Sequence, residues 1–326
     1  MGSSDWSDSH YTSRSAARKA TGTSAFAYSD TTMASTPASA RKSHEKMDPK
    51  GVTRESRDSS AHPDSVAVAV LFDVTGSMQT IPRVLQENLP KLMGLLVRRG
   101  FLKDAHVLFG AIGDATCDRV PLQIGQFEAG IETDDDLGRI YLEGGGGGQN
   151  TESYELGMYF MSRHTSIDCF EKRDKRGYLF IIADEKPYEC VKSHEVKNVI
   201  GDSLQADIPL TDMVSELQEK WDTYILMPST GGAYKTDRSI KPYWTKLFGQ
   251  HVIEFDPSHV SETIASIIGA SEGFDADAIN SALDDVGSGH AKKSVSTALS
   301  TVTKGGGLST NVVSGTLAKS GRKASV

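Results

Sequence analysis

The sequence has few cysteines, and they show no pairing pattern. Its 326 residues include only Cys117, Cys169 and Cys190, and none of them belongs to a CxxC motif. An odd number of cysteines at wide spacing argues against both a disulfide framework and a structural zinc site. We therefore expect the protein to function in a reducing compartment.

Long apolar runs and an excess of positive charge are also missing. No run approaches the roughly 18 apolar residues that span a membrane. The first residues, MGSSDWSDSHYTSRSAARKA, lack the apolar core of a signal peptide. The net charge of −8 gives no indication of nucleic-acid binding. These features predict a cytoplasmic protein without membrane or nucleic-acid partners.

Charge and composition divide the chain into three parts. Residues 1–62 carry a net charge of +2 and residues 286–326 one of +6, so the segment between them carries −16. An acidic middle suits a cation site or basic partners, although a solvated acidic surface would look the same. We predict a largely disordered Ser/Thr/Ala-rich arm over 1–63, a domain over 64–270, and a short helix followed by a flexible basic tail over 271–326.

The domain alternates predicted strands with predicted helices. VAVAVLFD is a continuous apolar run, typical of a strand that is covered on both faces. HVLFGAIGD, GYLFIIAD, DTYILM and HVIEFD follow as further strands, with helical patterns between them and PLQIGQFE as a possible edge strand. This order predicts an α/β fold with a doubly wound, mostly parallel sheet flanked by helices.

Three of the predicted strands end in aspartates, namely Asp73, Asp114 and Asp184. The carboxyl ends of neighbouring parallel strands face one crevice, so these carboxylates can converge. Clustered acids need a counter-charge to stay ionised, and a hard divalent cation supplies one. Hydroxyl and carboxylate ligands favour Mg²⁺ or Mn²⁺ over the larger Ca²⁺.

The segment DVTGS that ends the first strand suits such a site. Asp73, Thr75 and Ser77 stand two residues apart, so on an extended loop their oxygens face one way. Gly76 allows a tight turn, and Ser77 suits the N-cap of the next helix. An ordinary capped turn between a strand and a helix remains the alternative interpretation.

A glycine run and a third acidic motif complete the pattern. EGGGGGQNTESYELGM resembles a phosphate-binding loop that leads into a helix whose first turn is Thr151–Tyr154. It lacks GK[ST], and no GxGxxG follows the first strand, so a nucleotide site is weakly indicated and a linker is the alternative. IIADEKPYE places Asp184 and Glu185 after a later strand.

Together, these three motifs resemble the metal-ion-dependent adhesion site (MIDAS) of von Willebrand factor A domains over roughly residues 64–270. The resemblance implies an intracellular member of the bacterial or phage type. The resemblance implies that Thr75 and Ser77 bind the metal directly and that Asp73 binds it directly or through water. Asp184 matches the later acid of the motif.

Departures from the family pattern affect three positions. The family often has GGTxT where this chain has GGQNT, so the resemblance implies either Gln149 or Thr151 as the loop ligand. Glu185 stands where many members have glycine. Asp114 lies outside the minimal motif; it either supports the metal ligands without contacting the ion, as is also predicted for Glu185, or is solvated.

The resemblance implies a protein-binding module rather than an enzyme. A Mg²⁺ or Mn²⁺ ion at the site would accept a carboxylate from a partner protein. Related domains often act as assembly or regulatory subunits, in some cases beside AAA+ ATPases, which makes such an ATPase a possible partner.

Two alternatives stay open. In a haloacid-dehalogenase-like phosphohydrolase Asp73 would be the nucleophile, but the general acid two residues on would have to be Thr75, whose hydroxyl is a poor proton donor near neutral pH. In a scaffold protein the disordered arms would bind partners, and the basic tail lacks the interleaved aromatic residues of nucleic-acid binders.

Overall fold

The computed structural model describes residues 5–74, 76–78, 80–143, 151–230 and 233–303, with only the backbone of Ser77, Tyr234, Val302 and Thr303. The strands are β1 Arg54–Ser56, β2 Ser65–Asp73, β3 Asp104–Ile112, β4 Leu122–Ile124, β5 Thr151–Glu152, β6 Thr165–Ile167, β7 Gly177–Ile182, β8 Lys186–Pro187, β9 Cys190–Val191, β10 Ile208–Pro209, β11 Trp221–Pro228 and β12 Val252–Phe255.

Helices occur between the strands and at both ends of the described chain. They are α1 Asp8–Thr21, α2 Ala27–Ser35, α3 Thr80–Glu87, α4 Leu89–Met93, α5 Glu132–Arg139, α6 Tyr154–Arg163, α7 Asp168–Arg173, α8 Ser193–Val199, α9 Leu210–Lys220, α10 Ile240–Phe248, α11 Val260–Ser271, α12 Ala276–Asp285 and α13 Lys292–Thr303.

The main sheet has six strands in the order β12-β11-β7-β2-β3-β4. All neighbours are parallel except the antiparallel edge pair of β3 and β4. Side chains on the two faces of the sheet belong to two separate apolar clusters, and every residue of β2 is buried. This architecture confirms the predicted α/β fold with a mostly parallel sheet flanked by helices. The prediction succeeds because a strand that is apolar on both faces, such as β2, must be covered on both sides.

The N-terminal segment differs from the prediction of a largely disordered arm. Residues 5–63 contain α1, α2 and β1, and the side chains of Tyr11, Phe26 and Met47 are buried in the core. Arg18 also pairs with the buried Asp134 on α5, at 2.7 Å. A few well-placed apolar side chains and long-range ion pairs order a segment whose average composition is polar.

The C-terminal region differs in part. The predicted short helix is present as α12, but α13 then follows within the segment that we expected to be flexible. Val295, Ala298 and Leu299 of α13 are buried in the same cluster as Ile264 and Ile268 of α11. Residues 304–326 of the predicted tail lie outside the described residues.

The long helical pattern after the first strand is interrupted. α3 ends at Glu87, α4 begins at Leu89, and a π-helical turn runs over Gly94–Arg98. Pro90 lies in the first turn of α4, where its missing N–H is tolerated, whereas it could not extend α3. Within the described ranges, no helix has the length and apolar character needed to cross a membrane.

Candidate functional site

The predicted acidic positions lie at one edge of the main sheet. Asp73 ends the central strand β2 and is paired in register with Ile112 of β3, while its neighbour Phe72 is paired with Ile182 of β7. Asp114 and Asp184 come two residues after those partners. The parallel register therefore brings all three aspartates to the carboxyl edge on adjacent strands, and all three are buried.

Asp73 is held by an aromatic side chain from the helix after the glycine run. The Tyr154 hydroxyl donates a hydrogen bond to Asp73 Oδ2 at 3.0 Å, and Tyr154 is fully buried. The Trp244 ring packs edge-on against Tyr154, with 5.4 Å between the ring centroids. Burial and the nearby Asp73 carboxylate hold the pKa of Tyr154 well above its usual value, so the hydroxyl stays a donor.

Asp114 organises the turn that follows β3. Its Oδ1 accepts hydrogen bonds from the backbone N–H and the hydroxyl of Thr116, both at 2.8 Å. The Tyr188 hydroxyl lies 3.2 and 3.1 Å from the two carboxylate oxygens. The Asp114 backbone N–H donates to Asp118 Oδ2 at 2.7 Å. Asp114 is therefore buried and hydrogen-bonded, so the alternative of a solvated acid is wrong.

Asp184 and Glu185 lie in the turn between β7 and β8. Asp184 Oδ2 accepts the backbone N–H of Ala233, at 2.9 Å, from the chain that follows β11. The Trp244 indole N–H donates to the backbone carbonyl of Glu185 at 2.7 Å. Glu185 Oε2 is buried without a hydrogen-bond partner. Burial, then the charges of Asp184 and Asp73, raise the pKa of Glu185 to about 8.

Glu152 is a candidate site residue that none of the sequence motifs indicated. It is 2 % exposed, and its Oε2 atom is buried without a hydrogen-bond partner. Burial, then the charges of Asp73 and Glu185, raise its pKa to about 10. Glu152 reaches the site because β5 pairs with β8, which aligns it with Pro187. Its position after the glycine run and Thr151 was the only available signal in the sequence.

Thr151 lies in β5, in register with Lys186. The prediction that Thr151–Tyr154 forms the first helical turn is wrong, because β5 occupies Thr151–Glu152 and α6 begins at Tyr154. Thr151 and Glu152 pair with β8 as a short strand, so the helix cannot begin at Thr151. Thr151 is half-buried next to Glu152, at the end of the glycine-rich segment 144–150.

The loop after β3 is hydrogen-bonded to both chain segments that flank the glycine-rich segment. On one side, Glu143 accepts the backbone N–H groups of Arg119 and Val120, each at 3.2 Å. On the other side, Ser153 Oγ accepts the backbone N–H of Ala115 at 2.9 Å, and the Ser153 N–H donates to the Gly113 carbonyl. The residues on both sides of the glycine-rich segment are thereby attached to the same loop.

Part of the predicted ligand set cannot be placed. Thr75 and Gln149 lie outside the described residues, and the side chain of Ser77 does as well. Among the described residues, no group of three or more His, Cys, Asp or Glu side chains could by itself hold a metal ion. The predicted set mixes carboxylates with hydroxyl and amide oxygens, so carboxylates alone would not complete it.

The described part of the site nevertheless fits a divalent cation. Glu152 and Glu185 each bury a carboxylate oxygen without a hydrogen-bond partner, and neither forms an ion pair with a described Lys, Arg or His. A buried carboxylate requires either a proton or a cation. Oxygen donors of this kind suit Mg²⁺ or Mn²⁺. Asp73 and Asp184 lie at the same edge, and the predicted hydroxyl and amide oxygens would have to complete the coordination of such an ion.

No protein-family model and no curated protein matches this sequence. Several solved structures are similar in fold. The pilus adhesin SpaC from Lactobacillus rhamnosus GG, in its open conformation, has 10% identity and a TM-score of 0.43, and the match covers 73% of this chain and 33% of the adhesin. A von Willebrand factor type A protein from Catenulispora acidiphila has 12% identity and a TM-score of 0.37 over 64% of this chain and 43% of that one.

A third similar structure is proximal thread matrix protein 1 from the mussel byssus, described with a zinc-occupied MIDAS motif. Its identity is 13% and its TM-score 0.39, over 63% of this chain and 47% of that chain. This chain therefore spans between a third and a half of the length of these proteins. At such identities and TM-scores, the likeness gives no information about function.

Proposed function

We propose that this protein is a divalent-cation-dependent protein-binding module. The observation that supports it is the pair of buried carboxylate oxygens, on Glu152 and Glu185, that lack hydrogen-bond partners beside Asp73 at the carboxyl edge of the sheet. A cation there would neutralise the carboxylates. It would also offer an open coordination position to a carboxylate of a partner protein.

Each side chain has a distinct role in this proposal. Asp73 would hold the ion directly or through water, and Tyr154 would fix the orientation of its carboxylate. Asp184 would bind through water, while Glu152 and Glu185 would supply further negative charge. Thr75, Ser77 and either Gln149 or Thr151 remain the predicted hydroxyl and amide ligands. Mg²⁺ or Mn²⁺ is the ion that these donors favour.

We propose binding rather than catalysis. A phosphohydrolase would need a general acid two residues after Asp73, and the sequence has Thr75 there. A scaffold that acts through disordered arms is less well supported, since residues 5–63 are packed on the domain. An assembly or regulatory role in the cytoplasm, with an AAA+ ATPase as partner, remains a prediction from the motif resemblance alone.

The first experiment is thermal unfolding of the wild type and of Asp73→Asn in EDTA, Mg²⁺, Mn²⁺, Zn²⁺ or Ca²⁺. An ion at about a hundred times its Kd stabilises the native state by about 2.7 kcal/mol. We expect Mg²⁺ or Mn²⁺ to raise the melting temperature of the wild type only.

Asp168→Asn is the matched control for that experiment. Asp168 is also buried, but it pairs with Arg57 near the start of β2, away from the carboxyl edge. This variant should lose stability and keep its response to the ion. The proposal fails if no ion stabilises the wild type, or if Asp73→Asn responds to the same extent.

A further inference from the structure

A groove lies beside the candidate site, on the outer side of the loop that follows β3. Its walls are residues 115 and 118–122 between β3 and the start of β4, residues 42–43 and 48–50 of the N-terminal segment, and residues 198–199 at the end of α8, and its volume is about 620 Å³. We call it the lateral groove. Its size is within the range of ordinary ligand-binding clefts.

The lateral groove adjoins the acidic edge directly. Asp118 lines the groove, and its Oδ2 atom accepts the backbone N–H of Asp114 at 2.7 Å. Arg119 and Val120 also line it, and their N–H groups hold Glu143 immediately before the glycine-rich segment. A chain bound in the groove would therefore pass beside Asp114 and Glu143.

Three cationic side chains face this groove without a carboxylate partner. Lys42, Lys50 and Arg119 are all exposed, and no ion pair within the described residues involves any of them. Lys50 Nζ donates to the Asn198 carbonyl at 3.2 Å, and Arg119 donates to the Ser39 carbonyl. These bonds orient two of the cations but do not neutralise them. Three unpaired cations on one groove are notable in a chain whose net charge is −8.

The other lining residues favour a peptide over a nucleic acid. The lining has no aromatic side chain on which a base could stack. Asp48 and Asp118 also line the groove, and a peptide backbone offers N–H groups that such carboxylates can accept, which a nucleic-acid backbone does not. Pro49 and Val120 add buried apolar surface to the floor.

We propose that the lateral groove binds an acidic, extended segment of the partner protein. Lys42, Lys50 and Arg119 would contact its carboxylates, while a further carboxylate of the same segment reaches the cation at the edge of the sheet. Only the direction of the bound segment, from the groove toward the cation, rests on the proposed function. Binding in the groove itself requires no cation.

The test uses fluorescein-labelled octa-glutamate as the probe and measures its binding by fluorescence anisotropy at low salt. The charge-reversal variant is Lys42→Glu, Lys50→Glu and Arg119→Glu combined. The matched control combines Lys19→Glu, Lys246→Glu and Lys293→Glu, three exposed cations that line no part of this groove and form no ion pair within the described residues. Both variants change the net charge equally.

We expect the groove variant to bind octa-glutamate about tenfold more weakly than the control variant, in EDTA as well as in Mg²⁺. Equal affinities of the two variants, or no binding by the wild type, would overturn the inference. Tighter binding of an oligothymidylate than of octa-glutamate would overturn it as well. Unchanged melting temperatures show that both variants fold.

The two proposals fail in different ways. If Asp73→Asn responds to the ion as the wild type does, but the groove variant still binds the probe more weakly than its control, only the metal-dependent function is contradicted. If the ion response is as expected but the two triple variants bind the probe equally, only the groove assignment falls.

Discussion

The Tyr154 hydroxyl donates a hydrogen bond to Asp73 Oδ2 at 3.0 Å, and both side chains are fully buried. This contact joins the first residue of α6 to the last residue of β2, across the carboxyl edge of the sheet. The helix that follows the glycine-rich segment is thereby linked to the acid that ends the central strand.

Tyr154→Phe is expected to lower the free energy of unfolding by about 1.5–3 kcal/mol, because a hydrogen bond to a buried carboxylate is lost. It should also reduce the stabilisation by Mg²⁺ or Mn²⁺, because Asp73 loses its fixed orientation. Denaturant unfolding with and without the ion measures both effects.

Tyr159→Phe is the matched control on the same helix. The Tyr159 hydroxyl donates to Asp202 at 2.7 Å, away from the site. This variant should lose stability and keep the full response to the ion. An equal loss of ion response in both variants would show that the Tyr154 contact has no special role.

Stability should depend on pH through Glu185 and Glu152, whose pKa values are raised to about 8 and about 10 from 4.5. Both carboxyls bind protons more tightly in the folded state, so their contribution is greatest below about pH 4.5 and declines as the pH rises. In EDTA the loss is at most about 1.4 kcal/mol per pH unit and group. This decline in stability ends near pH 8 for Glu185 and near pH 10 for Glu152.

Urea unfolding in EDTA between pH 7 and pH 9 tests this dependence, because histidines near their usual pKa contribute little there. Stability should fall with pH in the wild type and fall less in Glu152→Gln. A saturating divalent cation should remove most of the slope, since it replaces the proton as counter-charge. Wild-type stability that is constant or rising over this range in EDTA would contradict the expectation.

The N-terminal segment should contribute to stability through its ion pair with α5. Arg18 Nη1 lies 2.7 Å from Asp134 Oδ2, and Gln86 Nε2 donates to Asp134 Oδ1 at 2.8 Å. Arg18→Ala leaves the buried Asp134 charge with the neutral Gln86 and with Arg14, whose Nη1 lies 3.9 Å away, and we expect a loss of about 1–3 kcal/mol. The neighbouring Lys19→Ala, at an exposed position, should change stability by less than about 0.5 kcal/mol. Equal stabilities of the two variants in urea would refute a structural role for this pair.

Glu143 should matter more for the site than for the fold. It accepts two backbone N–H groups from the loop after β3 and directly precedes the glycine-rich segment. Glu143→Ala is expected to weaken the melting-temperature response to Mg²⁺ or Mn²⁺ severalfold in apparent affinity, with about 1–2 kcal/mol lost in overall stability. Glu45→Ala, an exposed control, should change neither quantity. An unaltered ion response in Glu143→Ala would mean that the loop needs no such anchor.

Much of the sheet was predictable, because its strands are apolar on both faces. The run over Val66–Phe72 can pair its backbone hydrogen-bonding groups only between two other strands, and it can bury its side chains only between two helical layers. β2 meets both requirements. The positions of Asp73, Asp114 and Asp184 at the carboxyl edge follow from the same pattern. Their coordination of an ion stays a prediction.

Other features depend on contacts between residues far apart in sequence. Residues 5–63 are polar on average, yet Phe26 and the Arg18–Asp134 pair fix them to the domain. Glu152 enters the site only because a two-residue strand pairs with Lys186–Pro187. Local composition contains no information on such pairings.

The sequence by itself determined the α/β alternation and the acidic strand ends, because hydrophobic periodicity and strand polarity are local properties of the chain. Only the tertiary structure decided which acids lack a partner, which segments cover the domain and where three cations face one groove. Each of these depends on the distance between atoms that the chain brings together by folding, and that distance sets the desolvation and the charge that a side chain experiences.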